Sequence, residues 1–261
     1  MVKKIHIISK TKSILEISRV DQYVKSLLVF TPLLIVAKDN LFSYFCNILP
    51  VFFCFILLSS IIYIINDIND LENDKLNPFK FNRPLVKGTI SIKECSFLIS
   101  LLILIFIFIF FNFSLLKLSY VFLSYFLINL FYCFILKKFF LIDILSVSSG
   151  YGLRVISGYI AINAQLNIPL ISGVILLSIF ILMIKRRAEY NEKTFKNSLN
   201  LYDNQKIYKN IILIINLLII TNYYFFAKNL FDLKLLIISY IFVFFALLRL
   251  NLLIIENKVK K

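Results

Sequence analysis

An all-α bundle of about eight transmembrane helices is the fold class this sequence predicts, and three observations carry it. Sixty per cent of the 261 residues are hydrophobic, and the mean hydropathy is +0.88. Only five glycines and five prolines interrupt long runs of Ile, Leu and Phe. Lys and Arg collect between alternate apolar runs, as they do when one side of a membrane retains positive charge. A soluble domain of this length does not need so much apolar surface. Each span takes about 20 residues, so eight take about 160 and leave loops too short for a second domain. Residues 1–261 therefore read as one integral membrane domain.

In chain order, apolar runs place helices near 24–37, 41–65, 95–113, 117–136, 140–162, 167–185, 209–227 and 234–254. Six Lys and Arg precede or include Lys25, five lie between Lys75 and Lys93, and two are Lys137 and Lys138. Seven more run from Lys185 to Lys209, and four from Arg249 onward. The other side receives Lys38, Lys117, Lys228 and Lys234, while Arg154 falls inside a span. The positive-inside rule then puts both termini and the loops 66–94 and 186–208 in the cytoplasm. Outer connections such as Asn163 to Asn167 are short.

The formal charge of +15 raises a nucleic-acid partner, but basic residues interleaved with spans make no soluble patch, and none is expected. Cys46, Cys54, Cys95 and Cys133 form no Cys-x-x-Cys pair, and His6 is the only histidine. Zinc, haem and a disulfide framework are thereby disfavoured. The first apolar run begins only near Leu27, which reads as a retained span and not a cleaved signal.

Two polar constellations stand at predicted helix ends. The first is Asn66-Asp67-Ile68-Asn69-Asp70-Leu71-Glu72-Asn73-Asp74, followed by Asn77-Pro78 and Asn82-Arg83-Pro84. If the helix continues, Asp67, Asp70 and Asp74 share one face. Three carboxylates there repel one another without a cation, and hard oxygen ligands suit Mg²⁺ carried on substrate phosphates. A solvated acidic helix end is the plainer alternative. The second is Lys185-Arg186-Arg187-Ala188-Glu189 at the end of the sixth span. Lys185 and Glu189 share a face there, and Arg186 adds a second cation at the same mouth. Taken alone it would be an ordinary positive-inside anchor. Asp143 and Arg154 fall in the fifth span, where ionisable residues are functional candidates, although Asp143 also suits the interface. Lys25 reads either as a snorkelling anchor or as a cation facing the cytoplasmic cavity.

The run Asn66-Asp67-x-x-Asp70-x-x-x-Asp74 at the end of a second membrane helix resembles the first aspartate-rich motif of the UbiA-type prenyltransferase superfamily. Gln22 to Leu33, Asn77-Pro78 to Arg83-Pro84, Asp143 to Gly158 and Lys185 to Glu189 look like its decaprenyl-phosphate phosphoribosyltransferase branch. The branch favours Trp where Tyr23 stands and Asn where Ser26 stands, and its members carry a ninth span that the residues to Lys261 do not supply.

The resemblance implies a UbiA-like bundle in a bacterial inner membrane, with Mg²⁺ on Asp67, Asp70 and Asp74. Asn66, Lys25, Arg83, Asp143, Arg154, Lys185, Arg186 and Glu189 would bind substrate. Phosphoribosyl diphosphate would be the donor and a polyprenyl phosphate the acceptor; self-association stays open. A prenyltransferase using an isoprenoid diphosphate and an aromatic acceptor is the alternative enzyme. That reaction usually needs a second aspartate-rich motif where Lys185 to Glu189 stand. A non-catalytic lipid-binding protein or transporter is the reading from another class.

Overall fold

The computed structural model describes residues 2–36, 40–191, 205–228, 230 and 232–255, with side chains over 10–36, 40–187, 208–228, 230 and 232–252. Every regular element among them is helical: α1 (Val2–Ile17), α2 (Leu33–Val36), α3 (Leu41–Asn69), α4 (Leu71–Lys75), α5 (Ile92–Asn112), α6 (Ser119–Phe134), α7 (Phe140–Ala161), α8 (Ile168–Asn191), α9 (Gln205–Ala227) and α10 (Leu233–Ile255). Seven of the described helical stretches are long and apolar enough to cross a membrane, beginning with α3 and ending with α10. They correspond to the second through eighth spans expected from hydropathy.

The first expected span takes a different form. Val20–Phe30 is a 3₁₀ helix, and α2 follows it after Thr31 and Pro32. Hydropathy does not distinguish a 3₁₀ from an α-helix, but the burial pattern does. Ser26, Val29 and Pro32 are all buried. Ser26 and Val29 stack because three residues make a turn, and Pro32 continues the buried row just past the end of the 3₁₀ helix at Phe30. That face meets Gly158 of α7, where an added Cβ would lie 2.0 Å from the Val29 carbonyl oxygen and 3.0 Å from Cγ of the Pro32 ring. The missing side chain is what lets the two backbones approach.

The chain forms two compact units. One comprises Met1–Leu136 with Leu153–Gln165, and the other Lys137–Gly152 with Leu166–Lys261. In the first, α3 is the central helix, packing on α5, α6 and the 3₁₀ segment. Its apolar residues cover its whole circumference, as expected of a helix surrounded by others. Its core joins Val51, Phe55 and Leu58 of α3 to Phe122 and Tyr125 of α6 and Ile162. An apolar cavity of about 370 Å³ opens between α3, α5 and α6, lined by Leu58, Ile61, Phe106 and Phe122 among others. A smaller cluster of Ile17, Ile64, Leu85, Ile90 and Cys95 supports the end of α3 where the acidic motif begins. In the second unit, α8 packs on α9 and α9 on α10. Its core includes Phe180, Met183, Ile212 and Leu247.

Candidate functional site

In the first unit, α3 ends at Asn69. Asp70 caps it at φ −90°, ψ 0°, with its N–H donated to the Asn66 carbonyl, before α4 begins at Leu71. The helix runs past the expected end near residue 65 but does not continue through Asp74, so the condition for one shared carboxylate face is not met: it breaks at Asp70. Asn and Asp side chains compete for the backbone and weaken helices where they cluster. The break redistributes the three carboxylates. Asp67 and Asp74 turn inward and are 5% and 1% exposed, whereas Asp70 is half-buried and accepts a bond from Asn69 Nδ2 at 3.3 Å. Asn66 is half-buried beside them.

Three cations hold the two buried carboxylates. Arg19 Nη2 donates to Asp67 Oδ1 at 2.6 Å, and Arg83 Nη1 donates to the same oxygen at 3.0 Å. The same Nη1 of Arg83 also donates to Asp74 Oδ2, and Lys80 Nζ donates to Asp74 Oδ1 at 2.6 Å. Arg83 therefore bridges the two acids through a single nitrogen. Local structure delivers each cation. Arg19 adopts φ +51° at the joint between α1 and the 3₁₀ helix, and its guanidinium carbon lies 4.9 Å from the Tyr63 ring centroid. Asn77 caps a short 3₁₀ turn, Pro78–Lys80, and the Arg83 N–H bonds the Lys80 carbonyl at 3.0 Å. Buried Leu85 anchors the loop just beyond Arg83.

The donor set suits a divalent cation carried on phosphate. Asp67 and Asp74 converge on one cationic atom, and Mg²⁺ commonly binds through one or two carboxylates with phosphate and water completing the shell. Among the described residues, no three His, Cys, Asp or Glu side chains gather into a metal-holding group. A metal on Asp67 and Asp74 would draw its remaining ligands from phosphate and water. The surrounding excess of positive charge suits the phosphates themselves.

In the second unit, Asp143 lies in the first turn of α7 and is 5% exposed. Arg186 of α8 grips it side-on, with Nε 2.7 Å from Oδ2 and Nη2 2.9 Å from Oδ1. Arg187 stacks over Tyr208 at 4.2 Å. Lys185 is exposed. Glu189 belongs to α8, but its side chain lies outside the described ones, as do residues 192–204 of the loop expected at 186–208.

The remaining sequence candidates take separate places in the first unit. Lys25 is half-buried on the 3₁₀ helix. Arg154 is 5% exposed and donates through Nη2 to Ser59 Oγ at 3.0 Å and to Tyr125 Oη at 2.8 Å. It also lies over the Tyr125 ring at 4.8 Å. Sequence reading missed Arg19 and Lys80 as site residues. Lys80 lies inside the Asn77 to Pro84 motif, which is the signal that points to it; Arg19 looks like any other N-terminal topology charge.

A family model described as "UbiA prenyltransferase family" matches residues 26–261. The chain belongs to this family. It is similar to a decaprenyl-phosphate phosphoribosyltransferase of Mycolicibacterium smegmatis, at 33% identity over 172 residues, 64% of this chain and 54% of that protein. A protein of the same name from Corynebacterium glutamicum is 30% identical over 174 residues, 66% of this chain and 52% of the relative. The chain spans about half the length of these curated relatives. Among solved structures, a UbiA homologue from Archaeoglobus fulgidus bound to GPP and Mg²⁺ superposes with a TM-score of 0.68. It is 15% identical and covers 92% of this chain and 87% of its own. The UbiA fold and its apolar helices make this an integral membrane protein.

Proposed function

We propose that this UbiA-family protein transfers 5-phosphoribose from phosphoribosyl diphosphate to a polyprenyl phosphate, in a Mg²⁺-dependent reaction that releases diphosphate. The observation that carries the reading is the buried pair Asp67 and Asp74 set among Arg19, Lys80 and Arg83. Such a cluster accepts a polyanion together with a metal. The two relatives' names favour phosphoribose as the transferred group. So does the basic segment Lys185-Arg186-Arg187, standing where a second aspartate-rich motif would serve an isoprenoid diphosphate.

Bound Mg²⁺ would neutralise charge on the departing diphosphate, often the largest single contribution to such catalysis. Asp67 and Asp74 would hold it, and Asp70 at the helix break stands next in line. Arg19, Lys80 and Arg83 would orient the diphosphate oxygens. In the second unit, Arg186, fixed by Asp143, would offer a planar guanidinium to a phosphate, with Lys185 adding charge and Glu189 a hydrogen-bond acceptor. Lys25 would add a further cation for either substrate, whereas Arg154, buried against Ser59 and Tyr125, would act by positioning the helices around the site. An oxygen of the acceptor phosphate attacks the ribose anomeric carbon while the bond from that carbon to the diphosphate oxygen breaks. The diphosphate leaves with the electron pair. The nucleophile is already anionic, so no general base is required, and positioning governs the rate. The positive-inside distribution supports cytoplasmic termini and a cytoplasmic site.

The test is incubation of purified protein with Mg²⁺, a polyprenyl phosphate and labelled phosphoribosyl diphosphate. Metal-dependent label in the organic phase with stoichiometric diphosphate release is expected. Label appearing only when an isoprenoid diphosphate and an aromatic acceptor are supplied would replace this reading with prenyl transfer.

A further inference from the structure

Arg83 links the two buried carboxylates. One of its nitrogens bonds Asp67 Oδ1 and Asp74 Oδ2 together, so the guanidinium occupies the point on which the two buried carboxylates converge. Around that point stand three cations, Arg19, Lys80 and Arg83, against two carboxylates. The cluster already carries one positive charge in excess. A bare divalent cation entering it would meet Arg19 and Lys80 beside the two carboxylates and would have to displace Arg83 without compensation. A divalent cation arriving with a diphosphate brings several negative charges, which give the displaced guanidinium a new bidentate partner.

We infer that Arg83 is a placeholder cation: it neutralises Asp67 and Asp74 in the metal-free protein and swings onto the diphosphate as the metal takes its place. The inference rests on the metal–diphosphate reading above and adds a binding order to it. Metal and diphosphate bind together, and neither carboxylate is open to free metal. The exchange forms and breaks only hydrogen bonds and ionic contacts, and its charge balances because the diphosphate takes over the cation that the carboxylates release. The half-buried state of Arg83 suits a side chain that must move, while Asp67 and Asp74 stay fixed in the interior.

Equilibrium dialysis of the detergent-solubilised full chain against Mn²⁺, with and without inorganic pyrophosphate, tests this without relying on turnover. Manganese retained on the protein side is read by atomic absorption. Wild-type protein is expected to retain little Mn²⁺ alone and about tenfold more with pyrophosphate, a coupling of about 1.4 kcal/mol. Arg83→Gln should bind Mn²⁺ alone about tenfold more tightly than wild type and lose most of the pyrophosphate enhancement. Lys87→Gln removes an exposed charge from the same loop and should behave as wild type. Equal effects of Arg83→Gln and Lys87→Gln would reduce the result to general charge and overturn the placeholder role. Wild-type Mn²⁺ binding that is indifferent to pyrophosphate would overturn it too, and this arm stands even if Arg83→Gln does not fold. Wild-type protein that retains no Mn²⁺ under either condition would instead overturn the metal–diphosphate reading itself.

Discussion

Arg186 and Asp143 meet edge to edge, two parallel N–H···O bonds of 2.9 and 2.7 Å joining side chains 43 residues apart. A lysine cannot reproduce that fork. Arg186→Lys is therefore expected to lower kcat/KM for the phosphorylated donor by about tenfold or more, with KM carrying most of the change. Asp143→Asn leaves the guanidinium charged but loosely held, and should give a similar loss. The double variant Asp143→Asn/Arg186→Gln should lose little beyond either single one, because both disable the same contact. Additive losses measured in steady-state kinetics would show that the two residues act independently.

The carboxylates of the acidic motif should separate by their burial. Asp74→Asn strips Lys80 and Arg83 of a partner that is 1% exposed. The partners are partly exposed, so solvent absorbs some of the loss, and a destabilisation of about 1–3 kcal/mol is expected together with loss of transfer. Asp70→Ala, at the half-buried helix break, should unfold within about 1 kcal/mol of wild type yet lose turnover by about a hundredfold or more. Thermal unfolding and transfer assayed on the same preparations distinguish the two. An Asp70→Ala enzyme with normal turnover would remove that residue from the site.

The seven long helices are legible in the sequence because length and apolar content are enough to specify a membrane span. The 3₁₀ segment is not legible from content, since it depends on a turn geometry to which hydropathy is blind. Its signature is the three-residue spacing of Ser26, Val29 and Pro32, which becomes meaningful only once Gly158 is seen against it. Within the candidate site, spacing singles out Asp67, Asp70 and Asp74 without separating them, and motif singles out Arg83. Arg19 escapes because it lies 48 residues from Asp67 in a stretch whose charges are explained by topology. The Asp143–Arg186 contact escapes for a related reason: each residue is a candidate alone, but no local pattern encodes the pairing.

Two helical glycines make a paired test of packing. At Gly158 a Cβ would meet the Val29 backbone oxygen at 2.0 Å; at Gly152 the nearest atom is Cδ1 of Ile175 at 2.7 Å. Backbone cannot retreat as a side-chain tip can. Gly158→Ala should therefore cost about 3 kcal/mol or more and Gly152→Ala about 1 kcal/mol. The buried thiols of Cys54, Cys95 and Cys133 supply the readout for the first unit, since a thiol-reactive dye labels them only on opening. For Gly152, circular dichroism follows loss of helix. Equal shifts for the two variants would contradict the close approach at Val29.

Tyr125 ties Ser59 and Arg154 into one buried triad. Its hydroxyl pairs with Ser59 Oγ at 2.9 Å and accepts from Arg154 at 2.8 Å, all three side chains being buried. Within this triad Arg154 can only donate, and the two hydroxyls must supply its acceptors. Tyr125→Phe preserves the ring beneath the guanidinium and removes only the oxygen. The loss therefore isolates the hydrogen-bonding role from the ring packing, and a destabilisation of about 1–3 kcal/mol is expected from a charged donor left short of an acceptor in a buried setting. Arg154→Met removes that donor. In the Arg154→Met background, Tyr125→Phe should cost much less than in wild type, because the hydroxyl then has no guanidinium to serve. Dye-labelling melts of the four proteins give the cycle, and an undiminished cost in the Arg154→Met background would show that the hydroxyl stabilises the unit through Ser59 alone.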